Sequence, residues 1–544
     1  MPDTFYGSFC LILHSHIPYV VNHGLMGEEW LFEAAAETYI PLLNIFNRLV
    51  REGIQPKVTI NLSPVLAEQL HMPLFGKRFT EYCRQKIEFA IRDAEAFRTK
   101  DSHMAWLANL WKRFYGRTLR IFADDYKEDL IGAFRELNES GAIEVITCGA
   151  THAYFPALLR DQSIHAQVKM AAKSHEELIG SRANGIWLPE CGYRPSGSWR
   201  PPFSRYRNSV YFNHRPGIEE ILSHNGMRFF VIDQVQLQRG SPKDIDLSPL
   251  EIFWVKNGSH PVSVFVRDSK ISEQIWNHQI GYPGDPSYLE FHKKHSPGQH
   301  RYWRITDRNL DMAYKTPYHP HEVRRERIPQ HAGHYKWLIK RALMHRFHTT
   351  GQSSLIVTAF DSELFGHWWF EGPTWLYQLL KWVRSDPEIS LCTCSEYLDR
   401  QSPRHLVHLP ESSWGKGYDS STWINSEVEW VWERLYWAEL EMGYLVNGIG
   451  YREEEILRRI LRQAIRELLI LQASDWEFMI TNWSTKDYAE RRVVEHHADF
   501  SRLATMAWSY VQENGINETD ERFLKECEHR DAIFSAPDPV WYKD

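Results

Sequence analysis

The sequence predicts an α/β protein built on a parallel sheet or barrel, with a helical insertion and a mainly helical C-terminal domain. Three observations predict it. Seven short apolar, β-rich runs recur between residues 9 and 360, several followed by helix-like segments. Polar residues able to do chemistry stand just past those runs. The composition changes near residue 406, where loop-like sequence gives way to periodic helix.

In order, the runs are FCLIL (9–13), KVTINL (57–62), AIEVIT (142–147), GIWLP (185–189), RFFVID (228–233), PVSVFV (261–266) and SLIVTAF (354–360). Just past them lie His14, Ser63, His152, Glu190, Arg267 and Asp361, with Asp233 closing its own run. A (β/α) barrel places its active site at the C-terminal ends of its strands. Any one of these residues could cap a helix, but seven in succession indicate a site. Between about 75 and 125, EYCRQKIEFAIRDAEAF and HMAWLANLWKRFYGRTLRIF are amphipathic and charged without strand runs, which predicts an inserted helical subdomain. After Leu406, PESSWGKGYDSSTWIN reads as loop and EEEILRRILRQAIRELLILQAS as a strongly periodic helix with charged faces. The expected division is 1–405 for the barrel with its insertion and 406–544 for the helical domain. Internal repeats and low-complexity segments are absent from the sequence.

Composition narrows the function. Across 544 residues, 43% hydrophobic and 24% charged content is that of a globular protein and excludes disorder and coiled coil. Lys and Arg number 63 against 70 Asp and Glu, so a phosphate-tracking nucleic-acid binder is not expected. Seven cysteines, closely spaced only at Cys392 and Cys394, do not suggest a disulfide framework, which favours a reducing, cytoplasmic setting. The apolar run Phe9 to Leu13 is too short and lacks the preceding positive charge of a secretory signal. No stretch approaches the roughly 18 apolar residues of a membrane span. Aromatic residues reach 14%, with 22 Trp and 25 Tyr. Core packing explains most of such residues, yet sugar rings also lie with their C–H faces on aromatic side chains. HExxH, GxxxxGK[ST] and GxGxxG do not occur, so metalloprotease, P-loop and dinucleotide readings lack support.

WLPECGY (187–193) puts Glu190 directly after a strand and before a glycine-containing turn, and DSELFGHWWFEGP (361–373) does the same for Asp361. Two carboxylates from different strand ends are what glycoside chemistry requires. In its retaining form one attacks the anomeric carbon while the other protonates the departing oxygen. HSHIPYV (14–20) adds His14 and His16, an HxH pair that is also a metal-ligand pattern, with His152 and Asp361 available to complete a metallohydrolase site. Histidines that hydrogen-bond sugar hydroxyls need no metal, and the expectation is a site without metal or cofactor.

HSHIPYV, EVITCGATHAYFP, WLPECGY, DSELFGHWWFEGP and SDWEFMITN occur in this order and resemble the five signature regions of glycoside hydrolase family 57. Together with SWGKGYDSSTWIN they are similar to its 1,4-α-glucan branching members. The resemblance implies an incomplete, TIM-like (β/α)7 barrel with a helical C-terminal domain that helps close the active site. It implies a retaining transglycosidase that cuts an α-1,4 linkage in amylose, glycogen or a starch-like polymer and moves the segment to a 6-hydroxyl. By motif position Glu190 takes the nucleophile role and Asp361 the acid/base role. His14, His16 and His152 match donors around the sugar that becomes covalently attached, and Arg267 matches a strand-end residue of that pocket. Trp30, Trp276, Trp414 and Trp423 match tryptophans lining the glucan cleft, and Asp475 reaches the site from the C-terminal domain. The family's α-amylases and 4-α-glucanotransferases share the carboxylate pair and differ in the acceptor. Branching members also carry a tyrosine on a loop that corresponds here to about 235–249. That stretch, VQLQRGSPKDIDLSP, holds none, and Asp244 is its nearest match by spacing. The implied outcome is hydrolysis beside branching.

Overall fold

The computed structural model describes residues 4–544 apart from 204–213, 244, 246, 257, 259, 278, 450–453 and 514. Its strands are β1 (Gly7–Ser15), β2 (Val58–Leu62), β3 (Ile143–Ile146), β4 (Gly185–Ile186), β5 (Phe229–Asp233), β6 (Phe253–Lys256), β7 (Val262–Arg267), β8 (Ser354–Asp361) and β9 (Ile389–Leu391). Seven of them run parallel in the order β3-β2-β1-β8-β7-β5-β4. A lone parallel bridge, Thr147 to Ile186, joins the two ends of that order into a ring. The expected seven-stranded barrel is present, and each apolar run supplies one of its strands. Outside the ring, β6 pairs antiparallel with β7, and β9 pairs with the start of β1.

The runs are continuous rather than alternating because both strand faces are buried, the inner in the barrel and the outer under helices. All nine residues of β1 are buried. Cys10 and Ile12 point into an interior cluster with Ile146, Phe229, Val231, Phe265, Val357 and Ala359. Phe9, Leu11 and Leu13 belong to the outer core. The helix Cys394–Arg400 plugs the bottom, where the Cys394 amide donates to Thr59 Oγ1 at 3.0 Å. All seven cysteines are free and buried.

The helical excursion consists of Pro73–Phe97 packed on Ser102–Arg120, with Asp101 accepting hydrogen bonds from the His103 and Met104 amides at the second N-terminus. A second excursion, residues 277–319 between β7 and β8, has no counterpart in the sequence reading. Its described residues form only short helical turns and isolated bridges, so no periodicity announces it. It locks onto the first through Trp111 Nε1 donating to Arg301 O at 2.6 Å and Tyr302 OH donating to Asp93 Oδ2 at 2.7 Å.

Beyond residue 428 the chain forms the helices Glu429–Ile449, Glu455–Leu471, Asp475–Thr481, Lys486–Glu513 and Glu518–Arg530. Leu457, Ile460, Leu461, Ala464, Ile465 and Leu468 recur at helical spacing and bury the second of these. This layer grips the loop after β1, with Arg492 Nη1 donating to Tyr19 O at 2.7 Å and His23 Nε2 meeting Asp531 Oδ1 at 2.6 Å. It also reaches the barrel mouth, where the Ser474 amide donates to His152 O at 3.1 Å. Among the described residues no helix is long and apolar enough to cross a membrane.

Candidate active site

Parallel register places His14 opposite Asp361 at the C-terminal ends of β1 and β8. Strand β4 lasts two residues, and the chain then turns sharply so that Glu190 faces the mouth. The turn puts Glu190 at φ 60° and Cys191 at φ 49°, and His152 after β3 stands at φ 62°. Side chains with a Cβ pay roughly 1 to 3 kcal/mol for such a conformation, and it persists only where surroundings enforce it. Here the Trp414 amide donates to Glu190 O at 3.0 Å, and Tyr193 exchanges backbone hydrogen bonds with Ser412 at 2.9 and 3.1 Å.

The Glu190 carboxyl accepts from Trp414 Nε1 at 2.8 Å on Oε2, and its Oε1 lies 3.1 Å from Ser474 Oγ. Burial pushes its pKa up to about 7, partly offset by the Trp414 donor. Burial also lifts Asp361 well above the usual carboxylate range, aided by the negative charges of Glu363 and Glu190 and opposed by Arg267. Arg267 donates to Asp233 Oδ2 at 2.7 Å and to Ala359 O at 3.0 Å, which fixes its charge beside the β8 end. Glu363 is buried, accepts from Tyr39 OH and the His16 amide, and is raised by burial to about 7.

Three histidines stack on one wall. His16 lies 4.0 Å from His152 between ring centroids at 13°, and His14 lies 5.0 Å from both His152 and Trp187. Burial lowers His14 to about 3 and His152 well below its ordinary value, with neighbouring imidazoles adding to both shifts. Both shifts disfavour the charged form of these two rings taken alone. His16 contacts Ser63 Oγ and Asp475 Oδ2, each at 2.9 Å. His16, His152 and Asp475 offer atoms close enough to hold an ion, a different set from the one expected with Asp361. Every nitrogen of these two histidines already has a partner, His152 through His14 Nε2 at 3.1 Å and Ser474 Oγ at 2.9 Å.

Aromatic rings lead from solvent to this wall. Trp276, 47% exposed, stacks on Trp414 at 6.3 Å, Trp414 meets Trp187 edge-on at 5.0 Å, and Trp187 stacks on His14. Trp423 departs from the expected cleft lining. It is 1% exposed and stacked on Tyr154 at 4.7 Å, and so acts as packing behind the site. Trp30 is half-buried on the helix Leu25–Ala34 and packed on the outer core.

The profile of Glycosyl hydrolase family 57 matches residues 10–410, which span the barrel apart from the first three residues of β1 and include both carboxylates. The chain belongs to glycosyl hydrolase family 57. A second profile, described as 1,4-alpha-glucan branching enzyme, C-terminal, matches residues 434–542. This family 57 chain is 39% identical to the 1,4-alpha-glucan branching enzyme of Thermococcus kodakarensis over 97% of its length and 77% of the relative's. It superimposes on the crystal structure of a family 57 branching enzyme from Pyrococcus horikoshii with TM-score 0.92 at 37% identity, covering 99% and 97% of the two chains. It also superimposes on an alpha-amylase from Thermotoga maritima with TM-score 0.83 at 27% identity, covering 99% of each.

Three residues of this family 57 site escaped the sequence reading. Glu363 lies two positions after Asp361, Ser474 lies one before Asp475, and Asn61 precedes the end of β2. Adjacency to a motif residue was the available signal for the first two.

Proposed function

We infer that the chain is a 1,4-α-glucan branching enzyme working by double displacement, with Glu190 as nucleophile and Asp361 as acid/base. The observation that carries this reading is a pair of half-buried carboxyls at barrel strand ends, fed by an aromatic funnel, in a chain similar over its length to relatives bearing that name. Glu190 attacks the anomeric carbon, and Asp361 gives its proton to the departing 4-oxygen. An acceptor's 6-hydroxyl then loses its proton to Asp361 as its oxygen displaces Glu190, restoring the anomeric configuration. Proton NMR of the products formed from amylose tests the reading, with new α-1,6 signals expected. Their absence would leave an amylase-like activity instead.

Whatever shields the glycosyl-enzyme from water decides between transfer and hydrolysis. Residues 235–249 offer no tyrosine, and Asp244 lies outside the described residues. A gain of reducing ends beside the α-1,6 signals is therefore part of the expected result.

The forward step needs Glu190 charged and Asp361 protonated. With Glu190 raised to about 7, kcat/KM should climb as pH rises toward 7 and fall again once Asp361 ionises. A profile flat from acid to alkaline pH would contradict the assignment.

Because the histidine nitrogens are satisfied by protein partners, exhaustive chelation should leave full activity. Loss that returned with zinc would instead put an ion on His16, His152 and Asp475. The substrate partner is a neutral α-glucan, and seven unpaired buried thiols favour a cytoplasmic setting.

A further inference from the structure

We propose that Ser474, supplied by the helical layer after the barrel, is a positioning residue that ties ionisation of Glu190 to protonation of His152. The inference rests on the reading of Glu190 as nucleophile. It begins at Asn61, whose Nδ2 donates to Thr147 O at 2.6 Å and Ile146 O at 3.3 Å. Those two carbonyls fix the amide, so Asn61 Oδ1 faces His14 Nδ1 at 2.6 Å and must accept from it. His14 Nε2 is then a lone pair, and His152 Nε2, 3.1 Å away, must donate to it. That leaves His152 Nδ1 as an acceptor for the Ser474 hydroxyl at 2.9 Å. The Ser474 oxygen can then only accept from Glu190 Oε1 at 3.1 Å, so in this all-neutral arrangement the carboxyl keeps its proton.

The chain of hydrogen bonds has one direction, and Asn61 sets it. Turning Ser474 toward a Glu190 carboxylate would leave two lone pairs facing each other at His152 Nδ1. Switching the tautomers of both histidines would set the His14 Nδ1 lone pair against Asn61 Oδ1. The arrangement that ionises Glu190 and still satisfies every atom is a proton shift along the chain. The O–H bond at Glu190 Oε1 breaks as its hydrogen passes to Ser474 Oγ, while the serine hydrogen passes to His152 Nδ1. The products are a carboxylate and an imidazolium with His152 Nδ1 3.7 Å from Glu190 Oε1, and total charge and proton count are unchanged. Burial penalises either charge alone, and the pair offsets that penalty. The nucleophile is then held by two donors, Ser474 Oγ and Trp414 Nε1. The other titratable groups facing Glu190 are Asp475, His16, Asp361, Cys148, Cys191 and Tyr154.

The test is the pH dependence of kcat/KM for full-length Ser474→Ala, Ser474→Thr and Ser474→Cys on amylose, beside Glu190→Gln. Ser474→Ala leaves the carboxylate with Trp414 alone and breaks the relay. Its acid limb should move up by about one pH unit, with optimal kcat roughly tenfold lower and KM within about twofold. Ser474→Thr keeps a hydroxyl and should restore the wild-type limb. Ser474→Cys, an isostere with a weak donor, should lie between and carries the comparison if the alanine variant unfolds. A limb that stays in place in the Ala and Cys variants, or that threonine does not restore, overturns the proposal. Activity surviving in Glu190→Gln would overturn the nucleophile reading itself. An inactive Glu190→Gln with unmoved serine variants defeats this inference alone.

Discussion

Glu190→Gln and Asp361→Asn are each expected to reduce turnover of amylose by about 10⁴-fold or more, with affinity for the glucan kept within a few-fold. Both changes preserve shape while removing charge or proton. Glutamine at 190 can still accept the Trp414 hydrogen bond but is no nucleophile. Asparagine at 361 has no proton to give the leaving oxygen, so substrates with good leaving groups should recover the first step in that variant and not in Glu190→Gln. Steady-state kinetics paired with equilibrium binding of maltoheptaose separate the two effects. A variant that kept a tenth of its turnover would remove that residue from the chemistry.

A shortened chain ending at Leu406 is expected to lose all activity. It would lack Trp414, which holds both the side chain and the backbone oxygen of Glu190, and Ser474 and Asp475, which contact His152 and His16. It would also uncover the apolar surface around Tyr154 that Trp423 covers, and precipitation is the expected companion of inactivity. Expression with and without residues 407–544, followed by an amylose assay on the soluble fraction, gives the answer. A soluble, fully active short chain would show that the barrel is self-sufficient.

The barrel was legible because its strands are buried on both faces and so read as unbroken apolar runs. Strands β6 and β9 were not, since four residues at an edge that alternate buried and half-buried, and three residues beneath β1, give no such run. Residues 277–319 were invisible for a related reason: a segment without regular structure has no period to detect. Within the site, strand-end position and motif singled out Glu190, Asp361, His14, His16, His152 and Arg267, and the structure gathers these side chains at one mouth. Ser474 carried no signal of its own, because a serine before a helix reads as an ordinary cap. Trp423 went the other way, for sequence does not tell a ring that faces sugar from one that packs behind it.

The short β4 and its single bridge to β3 leave Glu190 hung from the weakest edge of the ring. What holds Glu190 in place arrives much later in the chain, at residues 412–414 and 474. Protein synthesis runs from the N-terminus, and early segments begin to fold before late ones exist. A nascent chain can therefore close most of its barrel while Glu190 remains unaimed and its histidine wall incomplete. On the proposed roles, glucan chemistry waits until translation has passed Asp475.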